Sequence, residues 1–249
     1  MIFSEPDTIL YALTIPLVGA VAIWLAGRWP NVRETVTLTT AVCLAIVVWS
    51  LVPTLQAGGR PELQLGEILP GLRIAFKVEP LGMLFAALAS GLWIVNSVYS
   101  IGYMRGNNEQ NQTRFYICFA IALAAAVGVA FSANLLTLFI FYEVLTISTY
   151  PLVAHKGDQA TVRSARVYMG ILLGTSIGLL LPAMIWTYSI AGTLDFTPGG
   201  ILEGKIAEPL VGLLLLMFTF GIGKAALMTI HRWFPAAMVA PTPVSALLH

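Results

Sequence analysis

Residues 218–249 read FTFGIGKAALMTIHRWFPAAMVAPTPVSALLH, and this stretch decides how the rest of the chain is read. An apolar run carries one lysine, Lys224. The run breaks at Pro235, restarts as MVA, breaks again at Pro241 and Pro243, and resumes as VSALLH. A lysine at membrane depth costs ~2.5–3.5 kcal/mol on insertion scales, which makes it a functional-site hypothesis by default. A proline-interrupted hydrophobic helix points to an ion or substrate pathway. Irregular backbone is tolerated at that depth only where it is buried in protein or lines a cavity.

Outward from this stretch, composition sets the class. The chain has 249 residues, of which 58% are hydrophobic and 10% charged, against about 25% charged in soluble domains. It reads as an all-α polytopic membrane protein. Net charge is +1 and no basic patch is present, so nucleic acid is not an expected partner; the lipid bilayer is. Cys43 and Cys118 lie inside apolar runs and are expected to be buried packing residues, without zinc or haem spacing. His155, His231 and His249 lie near ends or breaks of apolar segments, and no two share a helix at ligand spacing. The N-terminus, MIFSEPDTIL, is acidic and lacks the basic region of a signal peptide, so the first apolar run is expected to stay as a membrane helix.

A helix needs ~20 mostly apolar residues to cross the hydrocarbon core. Seven runs meet or approach that length, at residues 8–27, 35–55, 80–103, 115–131, 133–154, 165–190 and 209–230, followed by a half-length piece at 239–249. Alternate loops differ in basic residues. One set holds Arg28, Arg33, Arg105, Arg114, Lys156, Arg163, Arg166 and Arg232; the other holds Arg60, Arg73, Lys77 and Lys205 together with most of the acids. The first set is expected in the cytoplasm and the N-terminus outside. In the long outer segment, Leu72, Ile74, Phe76 and Val78 alternate with Arg73, Ala75, Lys77 and Glu79, while Gly58-Gly59 and Pro70-Gly71 supply turns. This predicts a short strand or hairpin on the membrane surface. The glycine- and proline-rich, acidic loop 192–208 reads as a further outer surface segment.

Of the charged side chains, only Glu143, in the middle of LLTLFIFYEVLTISTYPLV, and Lys224 lie well inside an apolar run. Each costs several kcal/mol there alone. Opposite charges that pair reduce the cost, and unpaired ones exchange protons instead. The two residues are therefore either a static ion pair locking two helices or the material of a proton relay. A buried pair is a weak device for stability alone, which favours the relay. Glu143, Thr146 and Tyr150 share a helical face, and these hydroxyls either hold water or bond the backbone near Pro151. Gly170, Gly174 and Gly178 recur every four residues and predict a close helix-packing face. Trp24, Trp29, Trp186 and Trp233 lie near segment ends and are expected to be interfacial anchors.

The segment GKAALMTIHRWFPAAMVAPTPVSALLH resembles the signature of the antiporter-like proton-conducting membrane subunits shared by Mrp-type cation/proton antiporters, complex I and membrane-bound hydrogenases. FYEVLTISTYPLVAHKGD resembles that family's buried-glutamate helix. MVAPTPVSALLH, with the region through GTLDFTPGG, looks most similar to the D-type component of Mrp antiporters, and Ala236 stands where complex I members usually carry an acid. The resemblance implies three site residues. Glu143 matches the glutamate that modulates the lysine, Lys224 the lysine before the helix break, and His249 the histidine that begins the next relay step.

It also implies the first repeat of an inverted-repeat fold, incomplete at the C-terminus. Residues 1–110 would form N-terminal helices with the outer hairpin, and residues 111–249 the first antiporter-like repeat. The implied function is proton translocation coupled to monovalent cation antiport, sodium above all, as a multi-pass membrane component of a multisubunit complex in a bacterial plasma (inner) membrane. Its partners would be other membrane subunits, protons and monovalent cations. The chain would be part of an ion transporter and not an enzyme; no cofactor is expected, and the sequence places no cation site. The alternatives are a proton-pumping subunit of NADH-quinone oxidoreductase (complex I) or a membrane-bound hydrogenase, and a non-conducting structural half-subunit or fragment.

Overall fold

The structure, a computed structural model, describes residues 5–228 and 230–248. Its helices are α1 (Glu5–Leu25), α2 (Pro30–Trp49), α3 (Val52–Gln56), α4 (Pro80–Gly106), α5 (Gln112–Ala130), α6 (Leu135–Val153), α7 (Gln159–Thr175), α8 (Leu181–Ala191), α9 (Glu208–Gly221), α10 (Trp233–Ala237) and α11 (Thr242–Leu248). A π-turn, Ser176–Leu180, joins α7 to α8 without ending the span. Among the described residues six helical stretches are long and apolar enough to cross a membrane: Pro6–Arg28, Pro30–Gln56, Pro80–Gly106, Gln112–Ala130, Leu135–Val153 and Gln159–Ala191. The seventh expected span is shorter than read: its helix stops at Gly221.

The boundaries follow local chemistry. Pro30, Pro80 and Pro209 begin α2, α4 and α9, where the missing N–H removes a donor that has no intrahelical partner anyway. The Asn134 side chain accepts from Thr137 N at 2.8 Å and starts α6; Asp158 accepts from Thr161 N at 3.3 Å and starts α7. Gly192, at φ 74°, closes α8.

The expected hairpin is present: β1 (Glu62–Leu69) pairs antiparallel with β2 (Leu72–Lys77) in a register running from Glu62–Lys77 to Leu69–Leu72 across the Pro70-Gly71 turn. It docks on the α5–α6 turn. Lys77 N donates to Phe131 O at 2.7 Å and Ala133 N to Ala75 O at 3.0 Å. Asn134 Nδ2 donates to Arg73 O at 2.8 Å, and Arg73 pairs with Asp195 at 2.9 Å. The hairpin, the α5–α6 turn and the loop after α8 therefore share one face of the molecule. The α1–α2, α4–α5 and α6–α7 connections share the other, where Arg114 donates to His155 O at 3.0 Å. This opposite face carries most of the arginines.

The largest buried cluster runs from Ile9 and Ile23 through Leu44, Phe76 and Trp93 to Phe115, Phe131 and Val244. Gly82 lies so close to the Ala130 carbonyl that a Cβ has no room there, which brings α4 and α5 together. Large apolar side chains such as Val18, Ile46, Leu92 and Val95 are exposed, as a lipid- or partner-facing surface requires. Three expectations are corrected. Gly170, Gly174 and Gly178 face open space and do not pack a neighbouring helix. Cys43 is exposed on the outer side of α2, not buried in packing. Trp24 and Trp29 are exposed at segment ends, as anchors would be, but Trp233 is buried.

Candidate functional site

α9 enters from the hairpin side and comes apart half-way through the bundle. Ile222 leaves the helix at φ −84°, ψ 67°, Gly223–Ala225 forms one 3-10 turn, and Ala226 sits in the left-handed region at φ 50°. That conformation costs a non-glycine residue ~1–2 kcal/mol, so tertiary contacts must hold it. Two glycines allow those contacts. A Cβ on Gly221 would stand 2.6 Å from Leu180 N in the π-turn, and one on Gly223 would collide with the Thr175 hydroxyl. Trp233 of α10 then fastens the break: its Nε1 donates to Gly223 O at 2.7 Å, and its ring meets Tyr168 edge-on with centroids 5.8 Å apart. The break therefore falls ahead of Lys224, eleven residues before Pro235, which instead lies inside α10. π-turns within helices frequently mark functional sites, and this one packs directly against the break.

Lys224 stands on the broken turn. Its Nζ donates to Tyr142 O at 2.8 Å and lies 3.6 Å from the centre of the Tyr142 ring; its backbone N–H donates to Tyr142 Oη at 3.3 Å. The ammonium is thus held by a carbonyl that also accepts from Thr146 at 2.9 Å and by an aromatic face. The carboxylate of Glu143 does not take part. Both Glu143 oxygens are buried without a hydrogen-bond partner, and among the described residues no ion pair joins Glu143 to Lys224. The static pair weighed above is not formed. Glu143 and Lys224 occupy one region of the bundle as neighbours in two unjoined settings.

A cavity of about 90 Å³ opens beside the lysine, lined by Leu145, Thr149, Tyr168, Lys224, Trp233, Leu247 and Leu248. One water needs ~10–15 Å³ of such space and two or more polar partners, so the cavity has room for several. Thr149 Oγ and Tyr168 Oη lie 2.8 Å apart on its wall. Thr146 and Thr149 also bond backbone carbonyls of their own helix, the backbone-bonding alternative of the two weighed for the hydroxyls that follow Glu143. Leu247 and Leu248 bring the end of α11 to the cavity; His249 lies outside the described residues.

Sequence reasoning missed Tyr142, whose carbonyl and ring receive the lysine, and misassigned Trp233. For Tyr142 the only signal was its place next to Glu143. It also missed a second buried charge cluster near the arginine-rich face. Glu34 receives Arg105 Nε at 3.0 Å and a second, shorter Arg105 bond. Arg33 approaches Glu34 at 3.5 Å, donates to Gln112 at 2.7 Å and to Thr113 at 3.2 Å, and lies over the Tyr116 ring. Among the described residues, no three His, Cys, Asp or Glu side chains gather as metal ligands.

A helical bundle with six long apolar spans, and a lysine on a broken seventh helix beside a buried glutamate, defines a polytopic membrane protein with ionisable side chains inside the bundle. Residues 132–249 match the family described as NADH:quinone oxidoreductase/Mrp antiporter, TM. That part of the chain, which carries Glu143 and Lys224, is thus similar to membrane subunits of Mrp antiporters and NADH:quinone oxidoreductases. The chain is 29% identical over 85% of its length to NAD(P)H-quinone oxidoreductase subunit 5 of Paulinella chromatophora, covering 33% of it. It is 28% identical over its whole length to a component of a probable K(+)/H(+) antiporter of Rhizobium meliloti, covering 26% of that chain. The fold is that of a chain in the membrane-bound sulfane sulfur reductase, an archaeal respiratory complex (TM-score 0.84, 19% identity, 97% of this chain and 49% of that one). It is also that of a chain in the Mrp complex of a Dietzia species (TM-score 0.81, 20% identity, 98% and 45%). The chain therefore spans between a quarter and a half of the length of these relatives.

Proposed function

We propose that the chain supplies the first repeat of a membrane subunit that moves protons in exchange for a monovalent cation, sodium, within an Mrp-type multisubunit antiporter, in the place of its D-type component. The observation that carries this reading is Lys224, poised on a broken helix against a cavity with room for several waters, with an unpaired Glu143 on the neighbouring helix. In this mechanism Lys224 stores a proton. Approach of the Glu143 carboxylate favours the ammonium and its withdrawal favours release, so the two titrate as a coupled pair. His249 receives the released proton and passes it on. The other membrane subunits are partners, residues 111–249 act as the repeat, and residues 1–110 brace it. The arginine-rich face is cytoplasmic and the hairpin face is outside, in a bacterial inner membrane; the basic-residue bias supports this orientation.

The second reading is a proton-pumping subunit of an NADH-quinone oxidoreductase, favoured by the number of relatives bearing that name. The test is transport by the full-length protein in its complex. Glu143→Gln and Lys224→Ala are each expected to abolish sodium-driven proton movement in vesicles while the complex still assembles. Wild-type rates in either variant would sink the relay. Proton movement that requires quinone reduction and ignores sodium would select the second reading.

A further inference from the structure

Thr149 and Tyr168 are each 1% exposed, and their hydroxyls form a bond that links α6 to α7 on the wall of the lysine cavity. Thr149 Oγ also lies 2.9 Å from Leu145 O and 2.9 Å from Thr146 O. Carbonyls only accept, and a threonine hydroxyl has one proton. With that proton on either carbonyl, Tyr168 donates to Thr149. The lone pairs of Tyr168 Oη are then left to accept from the cavity. An ammonium has three N–H donors. In Lys224 one is taken by Tyr142 O and the ring of Tyr142 covers another side. The cavity joins the rest of the lysine head to Tyr168. Thr149 stands seven residues beyond Tyr142 in α6, about 10 Å along the helix axis towards the arginine-rich face.

Resting on the function proposed above, we infer that Tyr168, oriented by Thr149, is a positioning residue for proton exchange at Lys224. It supplies the fixed acceptor for water that meets the ammonium from the arginine-rich side of the bundle. Without the Tyr168 hydroxyl the cavity keeps its apolar walls but loses an acceptor, and water there has too few partners to stay ordered.

The test uses the full-length protein in its complex, with proton transport in vesicles normalised to the amount of assembled complex. Tyr168→Phe keeps the ring that packs on Trp233, and Thr149→Val keeps the shape without the hydroxyl. Both are expected to lower the rate at least ~10-fold. Thr149→Ser is expected to restore it, and the double variant to be no worse than either single one, because the two hydroxyls act as a unit. Wild-type transport per assembled complex in Tyr168→Phe, additive losses in the double variant, or failure of serine to restore the rate would each overturn the inference. A fall in assembly alone, with normal transport per complex, assigns the pair a structural role and also overturns it. Lys224→Ala is measured alongside. If it transports normally the relay itself fails; if it is inactive while Tyr168→Phe is normal, only this inference fails.

Discussion

The molecule buries charge in two places and treats it in opposite ways. Near the arginine-rich face, Glu34 is surrounded: Arg105 and Arg33 reach its carboxylate, and Gln112, Thr113 and the Tyr116 ring hold Arg33 in turn. In the middle of the bundle, Glu143 has no partner for either oxygen, and the nearby lysine is bound to a backbone carbonyl. A carboxylate met by two arginines fixes three helix ends in one arrangement. The unpartnered Glu143 leaves open the second arrangement that the proposed relay requires, in which carboxylate and ammonium meet. The difference lies in the partners provided, since both carboxylates are shielded from solvent.

The largest contrast should come from removing one acid from each place. Glu34→Ala leaves Arg33 buried and unpaired, which is expected to cost ~3 kcal/mol of stability while transport per assembled complex is retained. Glu143→Gln removes a charge that has no partner, and stability is expected to hold or rise while transport stops. Thermal unfolding in detergent beside transport in vesicles measures both. If Glu143→Gln unfolds as readily as Glu34→Ala, then Glu143 is paired in the working protein and the comparison collapses.

The two places were also unequally legible in sequence. Glu143 and Lys224 stand out because each interrupts an apolar run, and the spans and the hairpin follow from twenty-residue runs, period-two alternation and Pro70-Gly71. Arg33, Glu34 and Arg105 sit at span ends, where charge is ordinary, so nothing local announces that they converge from distant parts of the chain. The site of the helix break was hidden for a related reason. Residues 222–228, IGKAALM, are mostly compatible with a helix, and what opens it is tertiary: the fit of Gly221 and Gly223 against α7 and the π-turn, and the Trp233 bond to Gly223 O. Trp233 was misread because a tryptophan near a segment end is usually an interfacial anchor, and here the chain folds back and buries it. The glycines of α7 show the converse error: a four-residue spacing looks like a packing face, yet no helix among the described residues lies against it.

Those two sets of glycines sharpen the comparison at a smaller scale. Gly221→Ala places a methyl group 2.6 Å from the backbone nitrogen of Leu180, and overpacking of that kind costs ~1–3 kcal/mol. Because the displaced segment carries Lys224, transport should fall as well. Gly174→Ala meets open space and replaces glycine within α7, so it is expected to stabilise by ~0.5–1 kcal/mol and leave transport unchanged. Equal effects at the two positions would mean that the break is not held by close approach to the π-turn.

The smallest effect concerns a third buried group, on the arginine-rich face outside the spans. His155 is 3% exposed; its ring stands edge-on to Phe115, and its Nε2 lies 3.7 Å from Glu109. Burial pushes the imidazole below its ordinary value of 6.5, Glu109 pulls it up, and Arg114 and Lys156 push it down further. The unfolded chain therefore takes up a proton at higher pH than the folded one. The neutral histidine contributes its full stability above the unfolded value of 6.5, and that contribution is lost as pH falls from there through the lowered folded value. Wild type should thus lose thermal stability relative to His155→Phe on acidification below 6.5, while the two keep a constant difference above about pH 7. A gain on acidification would have the opposite meaning. Glu109 would then close the remaining distance and pair with the imidazolium, and this histidine would behave like the arginine-paired Glu34 instead of the unpartnered Glu143.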